Sequence, residues 1–162
     1  MAVNIDDIES GILVWLRTDP QAKVTPAMHT YLKTIDSYQG QFEEDQLPRV
    51  PDLLPAAYVI FREAPYRPLS NLDQEADFIF SIFLVSQTFK GNEEARFGIP
   101  GVLVGVYQMI EDLRKLLVGA TFGLPNFTPM LFQHVGLFKN TQALSIYDVQ
   151  VVTQYHVIPQ GE

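Results

Sequence analysis

Residues Ala76–Thr88 read ADFIFSIFLVSQT. Phe78, Phe80, Ile82 and Leu84 fall on one parity, and Ile79, Phe83 and Val85 on the other. Successive side chains of a strand point to opposite faces, so a strand apolar on both parities is covered on both sides. The run holds neither Gly nor Pro, and β-branched and aromatic residues dominate it. Polar flanks hold the apolar run near strand length, which favours a strand over a buried helix. The sequence therefore predicts a central strand here, with the rest of the chain supplying its neighbours and its cover.

Two helices are expected to provide part of that cover. From Asn4 to Arg17, Ile5, Ile8, Ile12, Trp15 and Leu16 recur at helical spacing. Asn4 is placed to cap this helix, Asp6, Asp7 and Glu9 suit its first turn, and Asp19-Pro20 closes it. Trp15 is read as a core anchor. From Gly101 to Val118, Val102, Val106, Met109, Ile110, Leu113, Leu116 and Leu117 form a broad apolar stripe. Glu111, Asp112, Arg114 and Lys115 lie opposite, and Gly119 suits the position after the last turn.

Further strands are expected at Pro55–Arg62, Met130–Lys139 and Ser145–Val157, and at Met28–Tyr38, where Met28, Leu32 and Ile35 would also suit a helix but the Thr, Tyr and Ile content favours a strand. The last alternates: Tyr147, Val149, Val151, Tyr155 and Val157 share one face, and Asp148, Gln150, Gln154 and His156 the other. It reads as a half-exposed antiparallel strand, either at a free sheet edge open to β-augmentation or inside a small sheet. Phe42–Val50, Thr121–Pro129, Asn140–Ala143 and the proline-bearing Ala64–Asp73 read as connections. The sum is a single α+β domain over residues 1–162. Its mainly antiparallel sheet has four to five strands, with two main helices on one face.

Bulk composition narrows function. The 162 residues carry 19 acidic and 11 basic side chains, a formal charge of −8, which argues against a basic nucleic-acid surface. With no cysteine, thiolate metal sites, disulfides and cysteine nucleophiles are excluded. No apolar run reaches the ~18 residues of a membrane span, and the N-terminus is acidic where a secretory signal would be basic, so a soluble intracellular chain is expected.

No residue pattern carries catalysis. His29, His134 and His156 lie on separate elements without metal-ligand spacing. No G-x-S-x-G or Ser-x-x-Lys occurs, and Glu43, Glu44 and Asp45 sit in a polar, proline-flanked stretch with nothing apolar to perturb them. Gly98-x-x-Gly101-x-x-x-Gly105 leads into the second helix, but Pro100 removes a donor and no Lys-Ser/Thr pair follows. Close helix-to-sheet packing explains Gly101 and Gly105 better than phosphate binding. The chain is expected to be no enzyme and to need no cofactor or metal. The loop with Lys90, Asn92, Glu93, Glu94 and Arg96 mixes both signs, as a solvated turn or a charged subunit contact would.

Three clusters carry a resemblance to a known family: Tyr38-x-Gly40, Gly105-x-Tyr107 and Leu113-Arg114-x-x-Leu117-x-Gly119, with the Leu54-Pro55 step and the Tyr-rich last strand. From about Tyr31 to Val157 the chain resembles a Mu-like phage family of the tail-morphogenesis region of contractile-tailed phages and prophages. Such proteins look like tail terminators. The resemblance implies a homo-hexameric ring that caps the tail tube and sheath, ends polymerisation and offers a surface to the neck or connector. Its expected partners are further copies of itself, the tail tube protein, the tail sheath protein and a neck or connector protein. It would stand at the head-proximal end of the virion tail, after assembly in the host cytoplasm. DNA would pass through without specific binding, which an acidic wall favours, and no membrane is involved. Lys90, Glu93, Glu94 and Arg96 are the expected subunit-interface or lumen residues. The alternatives are a neck or head-completion ring protein and a small ligand-binding or enzymatic α+β domain.

Overall fold

The computed structural model describes residues 5–40, 42, 54–70, 73–87, 96–98, 104–141 and 144–157. Its elements are helix α1 (Ile5–Thr18), a short 3-10 turn (Met28–Thr30), β1 (Thr34–Ser37), β2 (Ala56–Glu63), β3 (Tyr66–Ser70), β4 (Asp73–Gln87), helix α2 (Val106–Leu117), β5 (Leu131–Asn140) and β6 (Leu144–Val157). The strands form one six-stranded sheet in the order β1-β2-β4-β6-β5, with β3 also paired to β4.

The central position falls to β4, whose apolar parities both find cover. Phe78, Phe80, Ile82 and Leu84 belong to a core with Ile8, Ile12 and Leu16 of α1 and Val106, Met109, Leu113, Leu116 and Leu117 of α2. Phe83 and Val85 belong to a second core on the opposite face, with Phe42, Leu54, Ala56, Tyr58, Leu144 and Ile146. Both helices thus lie on one face, and burial on both sides explains why β4 lacks a polar parity. Along its other edge β4 pairs with β6 from Gln74↔Val157 to Gln87↔Leu144.

Several expectations needed correction. The sheet has six strands rather than four or five, because Ala64–Asp73 is no open connection. After Glu63↔Ile79 the chain steps through Ala64 and Pro65 and resumes pairing at Tyr66↔Ala76, so β2 and β3 follow one edge of β4 in succession. Proline was read as a breaker, but Pro68 lies in β3, on the rim of the sheet, where a missing donor is tolerated. Only Thr34–Ser37 of the Met28–Tyr38 stretch is a strand, and it runs parallel to β2. Met28 and Leu32 instead bury into the helix-side core. Of the two alternatives for the C-terminal strand, the interior one holds: β6 lies between β4 and β5, and its polar parity is half-exposed at Gln150, Gln154 and His156 but buried at Ile146 and Asp148.

Local chemistry accounts for the helix ends. Asp19, with φ of 42°, turns the chain out of α1, and its carboxylate accepts the Lys23 and Val24 amides at 2.8 and 3.0 Å. Gly119, with φ of 89°, ends α2 as expected and donates to the Met130 carbonyl at 2.8 Å. Gly11 is more than a weak helix former: a Cβ there would lie 2.8 Å from the Phe122 ring. That ring stands edge-on to Trp15 at 5.3 Å, and the Lys23 ammonium lies 4.9 Å from the Trp15 ring centre. Trp15 is therefore a half-buried bracket at the rim of the core, not its anchor.

Candidate assembly surfaces

The two ends of the sheet are finished differently. At the β1 end, Arg17 of α1 reaches over the four-residue strand. Its Nη2 and Nε donate to the Ile35 carbonyl at 2.7 and 3.2 Å, and Nη2 lies 3.7 Å from Asp36. The charged side chain thus takes a backbone acceptor at the margin of the sheet.

At the β5 end, a ten-residue strand pairs with β6 and, among the described residues, with no second strand. Leu131, Val135, Leu137 and Phe138 are 56, 41, 54 and 48% exposed. Register places Val135 and Leu137 beside Val149 and Tyr147, on the helix face. Phe138 lies on the other face, 4.9 Å from the Phe83 ring and 6.0 Å from Phe42. Apolar groups therefore project on both sides of one marginal strand. Two register shifts, between Phe132 and His134 and between Leu137 and Lys139, bend it.

An aromatic ledge continues this end onto α2. Tyr107, in the first turn of α2, packs on Tyr147 of β6 at 5.9 Å, and exposed Phe97 stands edge-on to Tyr107 at 5.3 Å. Gly105 makes this possible. A Cβ on it would collide with the backbone of Arg96, Phe97 and Gly98, so the segment crosses the helix start only because position 105 has no side chain. Close packing was the expected role of Gly105, but what approaches is the 96–98 segment. Helix α2 begins at Val106, later than expected, and Gly101 lies outside the described residues.

Of the four expected interface residues, Lys90, Glu93 and Glu94 lie outside the described residues, as do Glu43, Glu44 and Asp45. Arg96 is half-buried beside the ledge. Burial and a hydrogen bond with Tyr107 push the Tyr147 phenol above its usual range, and the Arg96 cation opposes them. Sequence reasoning missed the ledge and the apolar β5. The signal is present in the sequence: LFQHVGLFKN carries Leu, Val and Phe on both parities of a strand.

Polar clusters elsewhere have structural explanations. Asp112, buried on α2, accepts from Tyr31 Oη at 2.7 Å and Gln108 Nε2 at 2.8 Å, and burial followed by the bond to Asp112 raises the Tyr31 phenol. Arg67 of β3 clamps Glu75 and Asp77 of β4 at 2.7 and 2.9 Å, and that hydrogen bonding holds the Asp77 carboxyl below its usual range. Among the described residues no group of three His, Asp or Glu side chains is placed to hold a metal. His29, His134 and His156 stand apart, on the 3-10 turn, β5 and β6. A cleft of about 370 Å³ on the face away from the helices is lined by Ile60, Arg62, Glu63, Ile79 and Gln150. Among the described residues no helix is long and apolar enough to cross a membrane.

The model of one protein family, described as Bacteriophage Mu, Gp37, matches residues 13–156. No curated protein matches the chain.

Proposed function

The chain belongs to the bacteriophage Mu Gp37 family, and from that premise we propose that it is a structural subunit of the virion tail, a terminator that assembles into a ring. In this reading the ring is a homo-hexamer at the head-proximal end of the tail. It caps the tube and sheath, ends their polymerisation and meets the neck or connector. The observation that carries the reading is the unlikeness of the two sheet ends: one margin is short and capped by Arg17, the other long, apolar and without a second strand among the described residues. Rings close through heterologous contacts, in which two different surfaces of one subunit meet, and such a chain offers two different surfaces. Apolar side chains exposed on both faces of one strand cost free energy in a lone subunit and are covered in an assembly.

Charge supports the same reading. A net charge of −8 gives a wall that repels phosphate, so DNA passes without adhering. Capping needs no chemistry, and two of the buried carboxylates are engaged structurally: Asp112 accepts from Tyr31 and Gln108, and Asp19 from the Lys23 and Val24 amides.

The test is native mass, measured by light scattering or mass photometry across concentrations, with and without tail tube protein. A closed ring of six, alone or on tube ends, is expected, together with restored tail length in a complementation assay. A monomer indifferent to tube protein that leaves tail length uncorrected overturns the reading.

A further inference from the structure

We infer that the cleft on the helix-free face of the sheet binds a guanidinium group, the arginine side chain of another protein chain, with Asp148 as its main acceptor. Three neighbouring rows of the sheet build the site. Ile60, Ser81 and Gln150 stand side by side on β2, β4 and β6. Glu63 and Ile79 form the row on one side, and Phe83 and Asp148 the row on the other. The register shift between Phe61 and Glu63 lets Arg62 join Glu63 at the cleft. Toward β5, the His134 ring lies over Gly136, the register partner of Asp148: a Cβ on Gly136 would meet His134 Nε2 at 2.8 Å.

Two polar atoms of this cluster are buried without a partner, Asp148 Oδ1 and Ser81 Oγ. Asp148 is 8% exposed and Ser81 fully buried. The other carboxylate oxygen is loosely held. Gln150 Nε2 donates to Asp148 Oδ2 at 3.4 Å, and Arg62 Nη2 lies 4.0 Å from it, beyond hydrogen-bond length. Gln150 and Arg62 both line the cleft, so the carboxylate faces it. Buried polar atoms are as a rule paired, and a buried carboxylate with weak partners costs free energy until a donor arrives.

Charge and shape select the ligand. With His134 neutral, Asp148 and Glu63 against Arg62 leave one negative charge unbalanced, so an anion is repelled and a single cation fits. An apolar group leaves both oxygens unpaired. A divalent metal lacks ligands, since among the described residues no three His, Asp or Glu side chains are placed to hold one. A water serves the oxygens but not the charge. A guanidinium is planar, weakly hydrated and rich in N–H donors, so it can donate to a carboxylate and a neighbouring hydroxyl together. The cleft of about 370 Å³ admits it with the end of its alkyl stem, against Ile60 and Ile79.

Those two isoleucines carry the test, because their δ-methyl groups are visible by NMR in large assemblies as well as in single subunits. The probe is n-propylguanidine. Saturable shifts of the Ile60 and Ile79 methyl signals are expected, with Ile12 of the helix-side core unmoved. Affinity should fall about tenfold or more in Asp148→Asn and about twofold in Glu63→Gln, whose exposed position keeps the test open should the first variant not fold. No shift in the wild type, the same shift with tetramethylammonium, which has no N–H to donate, or an undiminished affinity in both variants overturns the inference. At a concentration where both chains are monomeric, the urea midpoint of Asp148→Asn is expected at or above that of the wild type, since a buried charge is removed. A lower midpoint shows that the subunit pairs Asp148 by itself and also overturns it. Native mass of the variant alone, with tube protein and with connector protein then locates the arginine. A lighter assembly of the chain alone assigns it to a second copy, and loss of one complex assigns it to that protein. Unchanged association in all three overturns the assignment to a protein side chain. The site stands apart from the ring reading: a wild-type chain that never forms a ring removes that reading and leaves the methyl shifts to decide this one.

Discussion

The β1 and β5 strands are the two outermost in the described sheet, and they are finished in opposite ways. The β1 end is four residues long, is overlaid by α1 and has its Ile35 carbonyl satisfied by Arg17. The β5 end is ten residues long, bears apolar side chains on both faces and has only its bulges and Lys139 as deterrents. A long strand with a second side left unpaired among the described residues is a template for pairing unless something blunts it. Under the proposed reading, the contrast separates stability from assembly: residues at the β1 end hold the subunit together, and residues at the β5 end join it to others.

That division can be attacked directly. The largest effect is expected from Leu16→Ala at the closed end, where a fully buried leucine bridges α1 to the helix-side core. A loss of about 2–5 kcal/mol in urea or guanidinium unfolding is expected, and a loss below about 1 kcal/mol would show that α1 is not integral to the fold. Arg17→Ala should cost about 1 kcal/mol through the lost bond to the Ile35 carbonyl. It should also make the β1 margin sticky, seen as new concentration-dependent self-association in sedimentation. An unchanged sedimentation profile would show that strand length alone protects that end. Leu137→Ser should change monomer stability by no more than about 0.5 kcal/mol while reducing ring formation. Equal losses in both would erase the distinction between the ends.

The smallest effect tests a third margin, β3, where Pro68 and the Arg67 clamp stand guard. The Asp77 carboxyl is held low by Arg67, so its contribution is present above the unfolded value of ~3.9 and is lost as pH falls through the lower folded value. Arg67→Met should raise the Asp77 midpoint toward ~3.9 in an NMR titration. An unmoved midpoint would mean that the clamp does not hold in solution.

How much of this was legible in the sequence depends on what each segment packs against. The central strand was legible because burial on two faces leaves a mark on both parities, and α2 because a one-sided helix leaves a stripe. Residues 66–70 were not, since YRPLS has no alternation and its strand exists only because β4 runs beside it; pairing is a tertiary fact. The role of β5 was hidden for the converse reason. An apolar side chain has the same letter whether it fills a core or waits for another chain, and only the sheet order reveals that β5 lies beyond the helices. Asp148 misled in the other direction: its polarity suggested a wet face, while the structure buries it near Gln150 and Arg62. Arg96 alone among the four charged candidates can be placed, and it stands beside the ledge rather than on the strand.

Position 105 gives the chain an unusual genetic handle. Because the 96–98 backbone rests on a bare α-carbon, one added methyl group would lift Phe97 from Tyr107 while leaving the buried stripe of α2 chemically intact. Gly105→Ala would thus be an allele whose defect is read first in how much protein accumulates, because the methyl group meets main chain and not a side chain that can swing away.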